Sequence, residues 1–317
     1  MKEDLSNLIV PRINVNSDSS LQNTIDLIKR YNFDSFILFA TDEVVFKEKT
    51  RFSLERFNFI KNELQKNSKK KILFFIDAEN GLGHRCSDYN EWDYMDFTQI
   101  GKELYDNQIS FNLAPVVDVN QFDEKILRNR CYSSNPSEVT NIASLFLDSS
   151  YSNNVIPCIK HFPGHGAAEG DTHLGIVHSD LSLDELNSIH IKPFFDLIGR
   201  VELVMLNHVH YQCFDEDMLP ASMSKSVIND FLVNELGYKG VILSDSLQMG
   251  ALTENFAQEE IIESFIKNGG DLILDPIEPK QAIEVVDKMF SQSNQLIVKK
   301  IKKINDLKIK ARNLVKQ

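Results

Sequence analysis

Apolar runs a few residues long alternate with stretches of helical spacing from one end of the chain to the other. Leu8-Ile9-Val10 reads as a first strand, and Leu21, Ile25 and Ile28 then recur at the spacing of a helix that Ser20 would cap. Ser35 to Ala40 reads as the second strand, Ser53 to Leu64 as a helix, and Ile72 to Ile76 as the third strand. Trp92 to Tyr105 is predicted helical, Phe111 to Val117 a fourth strand, Pro136 to Leu147 a helix, and Val155 to Ile159 a fifth strand. Ser182-Leu183-Asp184-Glu185 has capping-box spacing and opens a helix toward Phe195. Leu203 to Leu206 and Val241 to Leu243 read as strands six and seven, separated by a helix that Ser224 caps and Gly237 ends. Leu272 to Leu274 is the eighth strand, with Pro279 to Phe290 as its helix. Ile297, Ile301 and Ile304 then set out a final lysine-rich helix over about 293–315, whose apolar stripe packs inward while its lysines stay in solvent.

Strands that are apolar on both faces imply a parallel sheet covered by helices, and eight strand-helix units are the count that closes a barrel. An open doubly wound sheet is the alternative. Polar residues end nearly every strand: Asp77, Asp118, Lys160-His161, His208 and Asp245. In a barrel these ends converge on one face, where active sites lie. The expected fold class is therefore α/β, a (β/α)8 barrel of the TIM type with irregular strands, as a single domain over 1–317. No dinucleotide or phosphate-loop glycine pattern follows the first strand.

At 317 residues the chain has room for such a barrel, which typically takes ~250. A hydrophobic content of 42% and a charged content of 25% are those of an ordinary globular protein with a substantial core. The net charge of −12 disfavours nucleic acid and anionic membrane as partners. No stretch approaches the ~20 apolar residues of a membrane helix. The first residues, Met1-Lys2-Glu3-Asp4, carry acids where a signal peptide needs a basic region, so the chain as it stands reads as cytoplasmic. Cys86, Cys131, Cys158 and Cys213 are scattered singly, as expected of reduced thiols.

The candidate chemistry is concentrated after the fifth strand. Lys160-His161-Phe162-Pro163-Gly164-His165-Gly166 runs on to Asp171-Thr172-His173-Leu174-Gly175. His161 and His165 have the four-residue spacing of a zinc-binding helix, but Pro163-Gly164 between them argues against a helix, and no metal is expected. Asp171 stands two residues from His173, where a carboxylate can take the imidazole N–H and make the ring a proton shuttle. The alternative is a set of polar side chains that merely close a loop.

Lys160 to His173 resembles the signature of the β-N-acetylglucosaminidases of glycoside hydrolase family 3. That signature is lysine-histidine-phenylalanine-proline-glycine-x-glycine, four residues, then aspartate-serine/threonine-histidine. The resemblance extends from the first strand to the eighth helix. It implies a retaining exo-β-N-acetylhexosaminidase that releases terminal N-acetylglucosamine through a covalent glycosyl-enzyme, acting on cell-wall muropeptide fragments without a cofactor. The expected partner is thus a saccharide with a terminal β-linked N-acetylglucosamine. Retaining glycosidases usually employ two carboxylates ~5–5.5 Å apart; in this subgroup His173 would be the proton donor and then the base, oriented by Asp171. Asp245, in Ser244-Asp245-Ser246-Leu247-Gln248-Met249 after the seventh strand, matches the family nucleophile. Taken alone it could equally be a helix N-cap.

The same resemblance carries Asp77 to the aspartate that binds ring hydroxyls. In Asp77-Ala78-Glu79-Asn80-Gly81-Leu82-Gly83-His84-Arg85, Leu82 replaces the usual arginine and only Arg85 remains. Arg130 resembles a sugar-contacting arginine, and Lys160 and His161 would donate hydrogen bonds to the remaining hydroxyls. His208 matches a histidine at the rim of the site, and by itself reads equally as a core histidine. Asp118 reads as a buried structural acid. The glycines at 164, 166, 170 and 175 would let the loop close over a sugar. Three alternatives stay open: a β-N-acetylglucosaminide phosphorylase on the same site, a weakened sugar-binding member, and a metal-dependent hydrolase.

Overall fold

The computed structural model describes residues 2–43, 50–91, 96–121, 127 and 129–314. The predicted start of the helix at Trp92, and Val315 at the end of the last helix, lie outside the described residues. In chain order the strands are β1 (Ile9–Val10), β2 (Arg12–Asn14), β3 (Ser35–Phe39), β4 (Leu73–Ile76), β5 (Phe111–Asn112) and β6 (Ile156–Phe162). There follow β7 (His178–Ser179), β8 (Leu203–Leu206), β9 (His210–Tyr211), β10 (Val241–Ser244) and β11 (Ile273–Leu274). The first helices are α1 (Asp18–Tyr31), α2 (Leu54–Asn67), α3 (Phe97–Asp106) and α4 (Pro136–Ser152). After them come α5 (Leu183–Leu186), α6 (Lys192–Leu197), α7 (Gly250–Thr253), α8 (Gln258–Lys267), α9 (Pro279–Gln292) and α10 (Asn294–Leu314). The chain divides into two compact units, one formed by Met1–Leu113, Ser149–Ile156 and Leu274–Gln317, the other by Ala114–Asp148 and Pro157–Ile273.

In the first unit β2, β3, β4 and β5 run parallel, with Arg12 opposite Ile37, Ser35 opposite Leu73 and Phe75 opposite Phe111. Every residue of β3 and β4 is buried, as the unbroken apolar runs predict. Helix α1 is capped by Ser17, whose hydroxyl accepts from the Ser20 N–H at 3.1 Å, and not by Ser20 as expected. The Ser20 hydroxyl instead accepts from the Asn14 N–H, which fixes the turn leaving β2. Helix α10 buries Ile297, Ile301, Ile304 and Leu307, so its stripe is a packing face. It is pinned by a buried ion pair: Lys308 donates to Asp34 at 2.7 Å and Arg312 holds the other carboxylate oxygen. Burial would raise the pKa of Asp34, but Lys308, Arg312 and Lys70 outweigh it and bring it down to about 2.

In the second unit β6, β8 and β10 are parallel, with Cys158 opposite Leu203 and Val241 opposite Leu203 on its other side. Strand β6 continues through Lys160 and His161 to Phe162, past the end at Ile159 expected from its apolar run. Its register against β8 shifts between Ile159 and Phe162, which lets polar residues enter without breaking the ladder. The predicted strand from Phe111 to Val117 is a true strand only at β5. Beyond it the Ala114–Pro115 peptide is cis, and pairing resumes as a single bridge between Val116 and Lys160. The helix expected from Ser182 to Phe195 opens on its capping box but is broken into α5, a π-helical turn over Asn187–Ile191, and α6. Pro193 lacks the N–H that an unbroken helix requires. The segment Ser226–Glu235 winds as a π-helix, with the Ser224 hydroxyl accepting from the Val227 N–H and Gly237 leaving it at φ +70°.

Candidate active site

Asp245 follows β10 directly. Its Oδ1 accepts from the N–H of Ser246 at 2.7 Å. Burial works to raise its pKa, but the rings of His161 and His208, the Ser246 N–H and Lys160 outweigh it, and the carboxyl stays ionised below the usual range. A carboxylate in that state is a competent nucleophile.

Asp171 and His173 form the pair that their spacing predicts. One oxygen of Asp171 accepts both the backbone N–H of His173, at 2.8 Å, and its Nδ1–H, at 2.7 Å. The proton is thereby held on Nδ1, and Nε2 is left for a reacting group. The two side chains are 28% and 31% exposed, so the pair is open to solvent and to a ligand. The loop that carries them is joined to the chain just after Asp245. The N–H groups of Gly250 and Ala251, at the start of α7, donate to the carbonyls of His173 and Thr172 at 3.2 and 3.0 Å. A Cβ on Gly250 would lie 2.5 Å from the His173 carbonyl oxygen, so this approach requires glycine. The sequence reading missed Gly250, whose only signal was its place five residues beyond the candidate nucleophile.

Two glycines of the loop, Gly164 and Gly166, are required by close packing or backbone conformation. Gly166 packs against the backbone of Val119, where a Cβ would fall 2.1 Å from a carbonyl oxygen, and Gly164 sits at φ +133°. They fit the loop tightly to its neighbours.

His161 and Arg130 are brought together, with Arg130 Nη2 3.3 Å from His161 Nε2. Asp118, fully buried, accepts from both the N–H and Nδ1 of His161, at 3.2 and 2.7 Å, and from the N–H of His165 at 2.7 Å. It is the buried structural acid foreseen from the sequence, but every bond it makes goes to the histidines of the motif. One expectation is corrected here. With Nδ1–H committed to Asp118, the His161 Nε2 meets Arg130 as an acceptor, so His161 is not the hydrogen-bond donor to sugar hydroxyls that the sequence suggested. Lys160 is 2% exposed and lies close enough to Asp245 to lower its pKa.

His208 is the second correction. It is fully buried, its Nδ1 bonded to the Ser222 hydroxyl at 2.8 Å and its Nε2 donating to the Ser246 carbonyl at 3.0 Å. Both ring nitrogens are occupied, so His208 is the core histidine of the two readings and not a sugar ligand at the rim. It fixes the backbone beside Asp245.

In the first unit, Asp77 directly follows β4 and accepts from Arg85 Nη2 at 3.2 Å. Arg85 lies over the Phe39 ring at 5.1 Å, and Arg12 over the same ring at 4.1 Å while it grips Asp275 through two nitrogens. Leu82 is buried, so Arg85 supplies the guanidinium beside Asp77 and position 82 contributes packing. Among the described residues no group of three His, Cys, Asp or Glu side chains is placed to hold a metal ion. Among the described residues no disulfide joins the cysteines, and no described helix is long and apolar enough to cross a membrane.

Comparison with known proteins gives the family. Residues 93–307, more than half of the chain, match the glycosyl hydrolase family 3 N-terminal domain, and the chain belongs to that family. A β-hexosaminidase A of Pseudoalteromonas piscicida is 28% identical over 303 residues, which cover 84% of this chain and 49% of that protein. The family 3 β-N-acetylglucosaminidase from Paenibacillus sp. str. FPU-7 has a similar structure, with TM-score 0.83 at 23% identity, over 98% of this chain and 62% of that one. The β-glucoside phosphorylase BglX gives TM-score 0.84 at 21% identity, over 98% and 58%. This chain thus spans about half the length of the first relative and less than two thirds of both structures. The structural likenesses establish the fold, the α/β barrel class with parallel strands that the sequence predicts.

Proposed function

We propose that this protein is a retaining glycoside hydrolase that removes terminal β-linked N-acetylglucosamine. One observation carries the reading: the Asp171–His173 pair is anchored through Thr172 and His173 to Gly250 and Ala251, five and six residues from the ionised Asp245. In the first step the Asp245 carboxylate attacks the anomeric carbon while His173 Nε2–H gives its proton to the departing oxygen. With Nδ1–H held by Asp171, the donor is the imidazolium, whose charge Asp171 stabilises until the proton leaves, and the ring is neutral in the covalent glycosyl-enzyme. In the second step the now neutral His173 takes a proton from water, whose oxygen displaces Asp245 and releases the sugar with its configuration retained. Arg130 and Lys160 supply charged hydrogen bonds to ring hydroxyls. The natural substrates on this reading are cell-wall muropeptide fragments met in the cytoplasm, a role taken from the family resemblance.

Phosphorolysis is a second reading, favoured by the imidazole acid-base, which repels phosphate less than a carboxylate does, and by the likeness to a β-glucoside phosphorylase. Phosphate would then take the place of water at the glycosyl-enzyme. Turnover of an aryl N-acetyl-β-glucosaminide with and without phosphate separates the two: free sugar as the product supports hydrolysis, and N-acetylglucosamine 1-phosphate overturns it. Asp245→Ala should abolish turnover, and a mechanism-based fluoro-sugar should label Asp245; a label elsewhere would refute the assignment. Absence of turnover in the parent protein would leave a sugar-binding member.

A further inference from the structure

Three polar contacts converge on Asp118, and the function proposed above does not use it. Its carboxylate is completely buried and lies two residues beyond Val116, which pairs with Lys160 on β6. One oxygen takes the backbone N–H and the Nδ1 of His161, and the other takes the backbone N–H of His165. His165 is itself buried, and desolvation brings its pKa down to about 4, so its ring is neutral at pH 7. Its Nε2 lies 3.1 Å from the hydroxyl of Thr172, the residue between Asp171 and His173. Thr172 is buried as well, and its carbonyl takes the N–H of Ala251. A carboxylate of this kind, with its lone pairs all directed at the histidines of one motif, does more than fill space.

We propose that Asp118 is the positioning residue of this site, fixing the His161 tautomer whose Nε2 accepts from Arg130 and so orients that guanidinium, and holding the Asp171–His173 pair in place through His165 and Thr172. The inference rests on the glycosidase reading for its catalytic meaning, while its structural content stands separately. An ionised carboxylate accepts only, so Nδ1 of His161 must carry the proton. The guanidinium of Arg130 donates only, so Nε2, 3.3 Å from it, must carry a lone pair. That one lone pair is taken by the guanidinium, so the ring orients Arg130, and it is Arg130 that donates to a substrate hydroxyl. Without the carboxylate the ring is free to take the other tautomer, which turns Nε2–H toward Arg130 and removes the acceptor. The second arm reaches the chemistry through Thr172, whose hydroxyl and carbonyl are both engaged, so the residues on either side of it are fixed in position.

The direct test is the tautomer. The full chain with nitrogen-15 histidine, in long-range proton–nitrogen spectra, should show His161 with a protonated Nδ1 and a bare Nε2, the signal being assigned by its loss in His161→Gln. In Asp118→Asn the amide can donate to Nδ1, and the proton should move to Nε2. A parent His161 already protonated on Nε2 overturns the proposal, and this measurement does not depend on whether Asp118→Asn folds. With an aryl N-acetyl-β-glucosaminide, Asp118→Asn should lower kcat/KM roughly ten- to hundredfold, the cost of one mispaired buried group. Thr172→Val keeps the shape and removes the hydroxyl. It should lower kcat on substrates with poor leaving groups while KM stays near its parent value. Equal slowing of good and poor leaving groups would remove the second arm. If the parent turns over no glycoside, the functional reading fails and the tautomer still decides the placement of His161.

Discussion

Removing the imidazole of His173 should have an effect that depends on what the sugar is leaving. If Nε2–H protonates the departing oxygen, His173→Ala should slow glycosides of weakly acidic alcohols and phenols by ~10² to 10⁴, the usual worth of a placed general acid. Aryl glycosides whose phenolate leaves unaided should form the glycosyl-enzyme with little loss. Asp171→Ala tests the same arrangement more gently. It removes the acceptor of two hydrogen bonds to His173, of which the one to Nδ1 strengthens when the ring becomes charged. A hydrogen bond to a charged group contributes about 1.5–3 kcal/mol when buried. With both side chains about three tenths exposed, solvent screening reduces this to roughly 1–2 kcal/mol, or about five- to thirtyfold in rate. The assay is kcat/KM across a series of aryl N-acetyl-β-glucosaminides graded by the acidity of the phenol. The slope should steepen strongly in His173→Ala and moderately in Asp171→Ala. Because the second step needs the same group as base, His173→Ala should also show a burst of phenol on activated substrates, relieved by azide. Parallel slopes in parent and variants, with no burst and no azide effect, would refute the role of His173.

Gly250→Ala, whose Cβ would press on the His173 carbonyl, should reproduce the leaving-group dependence of His173→Ala in milder form, whereas Gly199→Ala, with nothing within 4 Å, should match the parent. Identical slopes in both would detach Gly250 from the loop. His208→Phe removes one hydrogen bond from the Ser222 hydroxyl and one from the Ser246 carbonyl, at about 1 kcal/mol each. It should lower both Tm and kcat with little change in KM; a rise in KM alone would restore His208 as a sugar ligand. Asp34→Ala should cost stability at pH 7, because a carboxyl whose pKa falls from its ordinary value to about 2 on folding contributes roughly 2–3 kcal/mol. The depressed pKa makes that contribution complete above about pH 4 and lost as the pH falls toward 2. Parent and variant should therefore converge in acid by thermal unfolding, and a gap constant from pH 7 to pH 3 would discount the ion pair.

Local chemistry alone made the strands and the motif legible. A fully apolar run can only be a buried element, so β3, β4, β8 and β10 lie where the runs are, and Asp171 finds His173 because two residues of separation put carboxylate and imidazole within reach. The capping boundary of α5 and the packing stripe of α10 are legible for the same reason. Partnerships between distant residues were decided only by tertiary structure. Asp118 reaches His161 and His165 across 43 and 47 residues, and nothing in the stretch around it says which N–H groups will surround it. His208 could have been rim or core, and the arrival of Ser222 and the Ser246 carbonyl at its two nitrogens made it core. Ser20 lost the cap of α1 to Ser17 because its hydroxyl was drawn to the Asn14 N–H, and β6 outran its apolar run because Val116 and Leu206 pair with its polar end. A sequence lists the donors and acceptors a chain possesses, but burial makes each of them take a partner, and which partner is near is settled only when the elements pack.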